Sequence, residues 1–412
     1  MSYADLLQAV QTVAAQLQQQ GATPGSLIAC MLPRSPEAVI SMLAILWTGA
    51  AFLPLDPAGP MRRSDTVLAQ AQPLLGIATQ QDAERFAPHC RVLCLQRRDH
   101  GIWQLVAAVA PGHGITMPAA DTAPADAATF AAPVMPADDT PAYVIYTSGS
   151  TGHPNGVMIG RAALAHFVAA IGSQYGLTPK AHILQFAPLH FDACIEEIFG
   201  ALCHGATLIL RHDAMLDSLP LFLQACDAMA ISVLDLPTAF WHELAYCISE
   251  GQARLPASVR LVIIGGEAAL PERLARWRTS VPGHVVLQNT YGPTETTVIC
   301  SSAALAGPDC ILPAASIGNG EAGPLPIGRP LPGVLLAVVD DNGQPCATGT
   351  AGQLQIAGPT LALGYLAQPA LSARRFRALP ALPQAPRWYQ SGDRVVLGQD
   401  GQLRDLGRLD DE

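Results

Sequence analysis

A chain of 412 residues, half of them hydrophobic and 14% charged, has enough apolar material for one large layered domain or two to three ordinary ones, which argues against wholesale disorder. Its net charge of −10 argues against nucleic-acid binding, which needs clustered Lys and Arg. Lysine is nearly absent, Lys180 being the only one.

The N-terminus has no basic region and no secretory apolar segment. Leu6, Leu7, Val10, Val13, Ala14 and Leu17 recur at helical spacing, and Gly21 supplies a stop. A strand over 27–32 and a helix over 36–47 follow. The most apolar stretch, 38–55, is interrupted by Thr48, Gly49 and Pro54. It reads as a buried helix leading into a strand, not a membrane span, so a soluble cytoplasmic protein is expected. Residues 112–141, rich in Ala, Pro, Asp and Thr, predict a surface connection ahead of a strand over 143–147.

Strands at 206–210, 231–236, 259–264 and 285–288 then alternate with helices at 239–248 and 271–279. Beyond Ala304 the helices are expected to stop, with short strands such as 335–340 and 352–357 between Gly and Pro turns. The expected fold class is α/β: two helix-flanked, mostly parallel sheets plus a small β-barrel-like subdomain. The expected divisions are 1–141, 142–303 and 304–412. Ten cysteines without a C-x-x-C pair, the closest two being Cys90 and Cys94, read as reduced thiols.

The strand at 143–147 runs into Ser148-Gly149-Ser150-Thr151-Gly152-His153-Pro154-Asn155-Gly156. Glycines allow a tight turn that exposes amides, and the hydroxyls add donors, a concave set suited to polyphosphate. It is not a Walker loop, because no G-x-x-x-x-G-K-[ST] is present. Together with what precedes it, from Ala142 to Gly152, the segment resembles the signature loop of the AMP-forming adenylation superfamily, in the form used by nonribosomal peptide synthetases.

Further matches come in the family's order. Leu46 to Asp56 resembles its early structural motif, Phe191-Asp192-Ala193 the start of the amino-acid pocket, and Asn289 to Glu295 the nucleotide and metal segment. Gly352-Gln353-Leu354 to Gly364-Tyr365, Arg374-Arg375-Phe376, Ser391-Gly392-Asp393 and Gly407-Arg408-Leu409-Asp410 complete the series, so the resemblance covers nearly the whole chain.

The resemblance implies the large N-terminal core of the adenylate-forming fold. It also implies a reaction in which a substrate carboxylate attacks the α-phosphorus of MgATP, giving aminoacyl-AMP and pyrophosphate. The acyl group would pass to the phosphopantetheine thiol of a carrier protein. By the same resemblance Thr147, Ser148, Ser150 and Thr151 would hold phosphates, with Gly149 and Gly152 shaping the loop, and Glu295 would ligate Mg²⁺. Tyr291 would lie against the adenine near Asn289. Asp393 would take the ribose hydroxyls, Arg408 would reach the ribose–phosphate side, and Gly266, Glu267, Gly292 and Thr294 would complete the nucleotide site.

For the amino acid, Asp192 would receive the α-amino group, a need that a fatty-acid or aryl-acid activator does not have. Ala193, Glu196, Asp235, Ile263, Gly265, Thr290, Val298 and Ile299 would face its side chain. Glu196 and Asp235 are acidic in an otherwise small or apolar set, and buried carboxylates are costly unless paired with positive charge. No Lys or Arg stands among these positions, so the substrate itself is the expected cation. Lysine comes first, ahead of ornithine, diaminobutyrate and arginine.

Three departures stand out. Asn155 replaces the Lys usual late in the phosphate loop, Gly160-Arg161 stands where a His is usual, and Asp405 replaces an aromatic. His166 is expected on a helix face outside the site, and Arg408 has Asp405 and Asp410 as simple ion-pair alternatives. Since Asp410 matches the family's hinge, the mobile C-terminal subdomain and its lysine are expected to be absent. The 412-residue chain would then bind its substrates but adenylate them weakly. Lys180, a surface-turn lysine, is no substitute. An acyl-CoA synthetase-like ligase and a catalytically weakened nucleotide-binding module are the alternatives. No nucleic acid or membrane partner is expected.

Overall fold

The computed structural model describes residues 1–86, 88–98, 101–108, 132–148, 153–310, 312 and 323–409. They form two compact units. One comprises Met1–Arg161, Pro188–His190 and Leu363–Pro369, and the other Ala162–Ala187, Phe191–Ala362 and Ala370–Glu412.

In the first unit, α1 (Tyr3–Gln19) starts at a reciprocal cap. The Ser2 hydroxyl accepts from the Asp5 amide at 3.1 Å, and the Asp5 carboxylate accepts from the Ser2 amide at 3.0 Å. Val13, Ala14 and Leu17 are fully buried on its inner face, and the chain turns at Gly21 with φ +93°. β1 (Leu27–Met31), α2 (Pro36–Trp47), β2 (Ala51–Pro54), α3 (Met61–Ala71), β3 (Leu75–Ala78), β4 (Arg91–Arg97) and β5 (Trp103–Ala107) follow. β6 (Pro141–Ser148) and β7 (Pro154–Gly160) form a hairpin.

With β17 (Gly364–Tyr365), these strands make an eight-stranded sheet in the order β17-β7-β6-β2-β1-β3-β4-β5. Its centre, from β6 to β4, is parallel and its edges antiparallel. β2 and β3 are buried at every residue, as strands covered on both faces must be.

The sequence placed residue 142 at the opening of a second subdomain. In the fold, β6 instead pairs in parallel with β2, and the Phe52 and Tyr143 rings stack at 5.6 Å. The first compact unit therefore runs on to Arg161. Parallel pairing joins strands distant in sequence, and local periodicity carries no record of which sheet a strand enters.

The second unit begins with α4 (Arg161–Gln174), β8 (His182–Gln185), α5 (Ala193–Leu202), β9 (Thr207–Leu210), α6 (Leu219–Ala228), β10 (Val233–Pro237) and α7 (Thr238–Ser249). It continues through β11 (Leu261–Gly265), α8 (Pro271–Ser280), β12 (Val286–Tyr291), β13 (Ser301–Ala306), β14 (Pro326–Pro330), β15 (Leu335–Val339) and β16 (Ala351–Ala357). α9 (Pro369–Arg375), β18 (Phe376–Arg377), β19 (Trp388–Leu397) and β20 (Leu403–Arg408) close it.

Its sheet runs β15-β16-β19-β20-β14-β13-β12-β11-β10-β8-β9, with β18 on β19. From β12 to β9 it is parallel; from β12 to β15 it is antiparallel. The β-rich stretch expected as a small barrel-like unit thus continues this sheet through the β13–β14 pair. The α9 helix interrupts a region where helices were expected to stop. At seven residues it is too short for amphipathic periodicity to register. Trp241 of α7 and Trp277 of α8, at most 1% exposed, anchor the core of this unit with Phe222, Leu244 and Leu274. Each such side chain contributes about 1.5–3 kcal/mol on burial.

Candidate active site

Parallel strands offer ligands the crevice beyond their carboxyl ends. In the second unit those ends are Pro237 of β10, Gly265 of β11 and Tyr291 of β12. Asp235 is in register with Ile263, and Pro237 with Gly265. The Thr290 hydroxyl donates to the Ile264 carbonyl at 2.9 Å, and a Cβ on Gly265 would come within 2.7 Å of that hydroxyl. Only glycine allows the two strand ends to close up this way.

Beyond β12, Thr297 and Val298 adopt φ of 61° and 68°, a left-handed conformation that β-branched residues avoid. Such strain costs about 1–3 kcal/mol per residue and persists where the surroundings impose it. Here they do. Thr297 Oγ1 donates to the Thr360 carbonyl at 2.7 Å, and a Cβ on Gly292 would lie 2.3 Å from Ile299 Cα. Val298 and Ile299 are thereby fixed and buried, each 5% exposed.

α5 supplies the acids. Asp192 stands at its N-cap position but makes no side-chain cap bond, which leaves the carboxylate available for another role. Burial raises the Asp192 pKa to about 6, opposed by the Thr294 hydroxyl and reinforced by the Glu295 charge. One turn on, Glu196 is 5% exposed, and burial and the Asp235 charge push its pKa well up. Asp235 is raised in the same way, by burial and then by the Glu197 and Asp192 charges. Its Oδ2 is buried without a hydrogen-bond partner among the described residues.

Two residues absent from the sequence-derived set take part here. Tyr175, just past the end of α4, donates its hydroxyl to Glu196 Oε1 at 2.5 Å. Glu197 accepts from the Phe186 amide at 2.8 Å, the Ala187 amide at 3.0 Å and Gln185 Nε2 at 2.8 Å. Adjacent glutamates on a helix point about 100° apart, so Glu196 and Glu197 serve different neighbours. That adjacency was the available signal for Glu197; nothing in the sequence marks Tyr175.

A cavity of about 530 Å³ opens beside these strands. Gly266 and Glu267 after β11, Asn289, Thr290 and Tyr291 of β12, and Gly292 line it. Asp393 and Arg408 close it from β19 and β20, whose register places the two opposite each other. Asp405 lines it as well. The Tyr291 hydroxyl donates to Asp393 Oδ2, and Arg408 Nη1 lies 3.2 Å from Asp393 Oδ1. Arg408 therefore pairs with Asp393, because the antiparallel ladder sets β20 against β19. Burial raises Asp393 even so, and it pushes Tyr291 far up.

Asn289 Nδ2 is tied to the Pro326 carbonyl at 2.8 Å. Glu295, 9% exposed, lies in a 3₁₀ turn over Thr294–Thr296 that is held by a 2.8 Å bond from the Ala362 amide to its own carbonyl. His166 lies outside these groups and binds the Pro332 carbonyl at 2.8 Å.

In the first unit, Thr147 and Ser148 end β6, and Thr147 Oγ1 reaches the Asn155 carbonyl at 3.5 Å. Asn155 Oδ1 accepts from Gln368 Nε2 at 2.9 Å. Arg161 is occupied by the Leu46 and Ala50 carbonyls at 3.0 and 2.9 Å. Gly149, Ser150, Thr151, Gly152 and Asp410 lie outside the described residues. Among the described residues no cluster of three or more His, Cys, Asp or Glu is placed to hold a metal ion, and no helix is long and apolar enough to cross a membrane.

Comparison with known proteins adds three findings. The family of AMP-binding enzymes matches residues 1–366. An isonitrile lipopeptide synthase of Streptomyces coeruleorubidus is 44% identical over 412 residues, all of this chain but 25% of the synthase. The chain thus spans about a quarter of that relative. Among solved structures, a holo four-domain nonribosomal peptide synthetase, AB3403, bound to AMP and glycine, is similar with TM-score 0.77 and 27% identity. It covers 100% of this chain and 27% of that one. The N-terminal subdomain of Klebsiella oxytoca NpsA, in complex with 3-hydroxyanthranilyl-AMSN, has TM-score 0.75 and 25% identity, covering 99% and 93%.

Proposed function

Because the chain belongs to the family of AMP-binding enzymes, we propose that its protein is an ATP-dependent, AMP-forming ligase that activates an amino acid with a cationic side chain, lysine first. The product would be handed to the phosphopantetheine thiol of a carrier protein in nonribosomal peptide synthesis. In this reading Asp192 receives the α-ammonium, which orients the substrate carboxylate toward the α-phosphorus. Attack there forms the acyl–phosphate bond and releases pyrophosphate. Both reactants are anionic, so orientation and charge matching carry the reaction more than a general base.

The 530 Å³ cavity has the size of a nucleoside site, with Tyr291 and Asn289 for the base and Asp393 with Arg408 for the ribose side. Glu295 would hold Mg²⁺. Since no three acids among the described residues are placed to hold a metal together, Glu295 suits an ion that takes most of its oxygens from phosphate and water, and that would supply charge neutralisation to the polyphosphate. Thr147 and Ser148 would meet phosphate oxygens.

The single observation carrying the substrate reading is the orphaned Oδ2 of Asp235. The Asp235 and Asp192 charges raise Glu196, and the Glu197 and Asp192 charges raise Asp235, while no Arg or Lys among the described residues figures in the electrostatics of these acids. A buried acid cluster without a protein cation is stabilised by a ligand that brings one. ATP–pyrophosphate exchange across a panel of amino acids, fatty acids and aryl acids tests the assignment. Highest turnover with lysine or another diamino acid is expected; highest turnover with leucine, phenylalanine or a fatty acid would sink it.

A further inference from the structure

The acids beside the substrate positions differ in how the protein already uses them. Glu197 takes two backbone amides and an amide side chain. Glu196 takes one hydroxyl, that of Tyr175. Asp235 Oδ2 takes nothing among the described residues.

Tyr175 is held where it is from several sides. Its amide bonds the Ile171 carbonyl at 2.9 Å, its carbonyl accepts from Arg260 Nη1 at 3.0 Å, and the ring is 5% exposed. The following Gly176, at φ +55°, turns the chain away. A rigid phenol therefore delivers a single O–H to one oxygen of Glu196.

We propose that Tyr175 is a positioning residue for substrate selection: it fixes Glu196 by a 2.5 Å hydrogen bond, leaving Asp235 to form the direct ion pair with a primary ammonium on the substrate side chain. This rests on the basic-substrate reading above and sharpens it. Were Glu196 free to rotate, two mobile carboxylates would offer the paired oxygens that a guanidinium prefers. With Glu196 Oε1 held by the phenol, Asp235 alone is left with a buried oxygen that has no partner among the described residues, a single acid to meet the cation. That suits the compact point charge of a diamino acid better than arginine.

The groups facing Glu196 are Tyr175 from the end of α4, Asp235 from β10 and Asp192 at the start of α5. Of these Tyr175 alone supplies a hydrogen bond that favours the ionised form, so its removal moves Glu196 further up.

The test is steady-state ATP–pyrophosphate exchange on the purified protein, wild type beside Tyr175→Phe, Glu196→Gln and the double variant, across pH. Tyr175→Phe is expected to raise the lysine KM about tenfold while leaving kcat and the ATP KM within about twofold. It should also shift the acidic limb of the lysine KM profile to higher pH and narrow the preference for lysine over arginine. The double variant should be no worse than Glu196→Gln alone, because Tyr175 acts through Glu196.

Unchanged lysine KM and pH profile in Tyr175→Phe, or additive losses in the double variant, would overturn the role of Tyr175 while the basic-substrate reading stands. A wild type that prefers a neutral amino acid would instead overturn that reading, whatever Tyr175→Phe does. Should Tyr175→Phe fail to fold, the other two carboxylate variants decide: Asp235→Asn must cost more with lysine than Glu196→Gln, and the reverse order overturns the inference.

Discussion

Two charged regions of the second unit are built on opposite plans. In the cavity lined by Asn289, Tyr291 and Asp393, the Asp393 carboxylate is matched from both sides, by the Tyr291 hydroxyl and by Arg408 at 3.2 Å. Around Asp192, Glu196 and Asp235, Asp192 takes the Thr294 hydroxyl and nearby backbone amides, Glu196 takes the Tyr175 hydroxyl, and one buried oxygen of Asp235 has no donor among the described residues. The first arrangement is close to satisfied before any ligand arrives, so it selects by shape and hydrogen bonding. The second stores repulsion that a cation relieves, so it selects by charge.

The largest effect is expected where that repulsion meets the substrate. Asp192→Asn should lower kcat/KM for the amino acid by about 10²–10³, the loss that follows truncation of one partner of a buried charge pair. The same variant should melt about 2–4 °C higher than wild type at pH 8 without ligand, because it removes a charge held in a buried site. A variant that loses both activity and stability would contradict the contrast drawn above.

Asp235→Asn comes next. A drop of about 30-fold or more in kcat/KM for lysine is expected, with a far smaller change for norleucine, measured by competitive exchange. An equal loss for both would mean that Asp235 does not select on charge. In the matched cavity, Asp393→Asn should raise the ATP KM about tenfold and leave the lysine KM unchanged, if the two regions hold different ligands as proposed.

The smallest effect is in pH. Burial lifts Asp192 to about 6 and raises Glu196 and Asp235 above their ordinary range. Folded-state values above the unfolded ones favour the protonated acids, so this contribution to stability is full at low pH and is lost as pH rises, through about 6 for Asp192. The ligand-free protein should therefore soften between pH 5 and pH 8, by a few degrees in Tm. Stabilisation by added lysine should grow over that window, as thermal melts with and without lysine would show. A lysine effect independent of pH would break the assignment of cation binding to these acids.

Much of the second region could be read from residue order alone. Phe191-Asp192-Ala193 and Asn289 to Glu295 identified the segments, and Glu196 with Asp235 raised the question of charge. The helices over 36–47 and 239–248 were also legible, because amphipathic spacing and caps are local. Tyr175 was not legible. It reaches Glu196 only because the turn after α4 is drawn in by Arg260, 85 residues away. The Arg408–Asp393 pair was hidden for the same reason: sequence offers nearest neighbours, whereas the β19–β20 ladder sets Arg408 opposite Asp393. The sheet that β6 enters was not legible either, since only its pairing with β2 defines it.

By itself, then, the sequence determined the family of motifs, the chemistry each segment can offer, and the presence of Asp192, Glu196 and Asp235 in a set with no Lys or Arg. Those are matters of composition and short-range order. Tertiary structure decided which charges are matched: the hydroxyl given to Glu196, the amides given to Glu197, the guanidinium given to Asp393, and the oxygen of Asp235 left without a partner. Partners are assigned by through-space distance and burial, and both are fixed only when strands and helices far apart in the chain pack together.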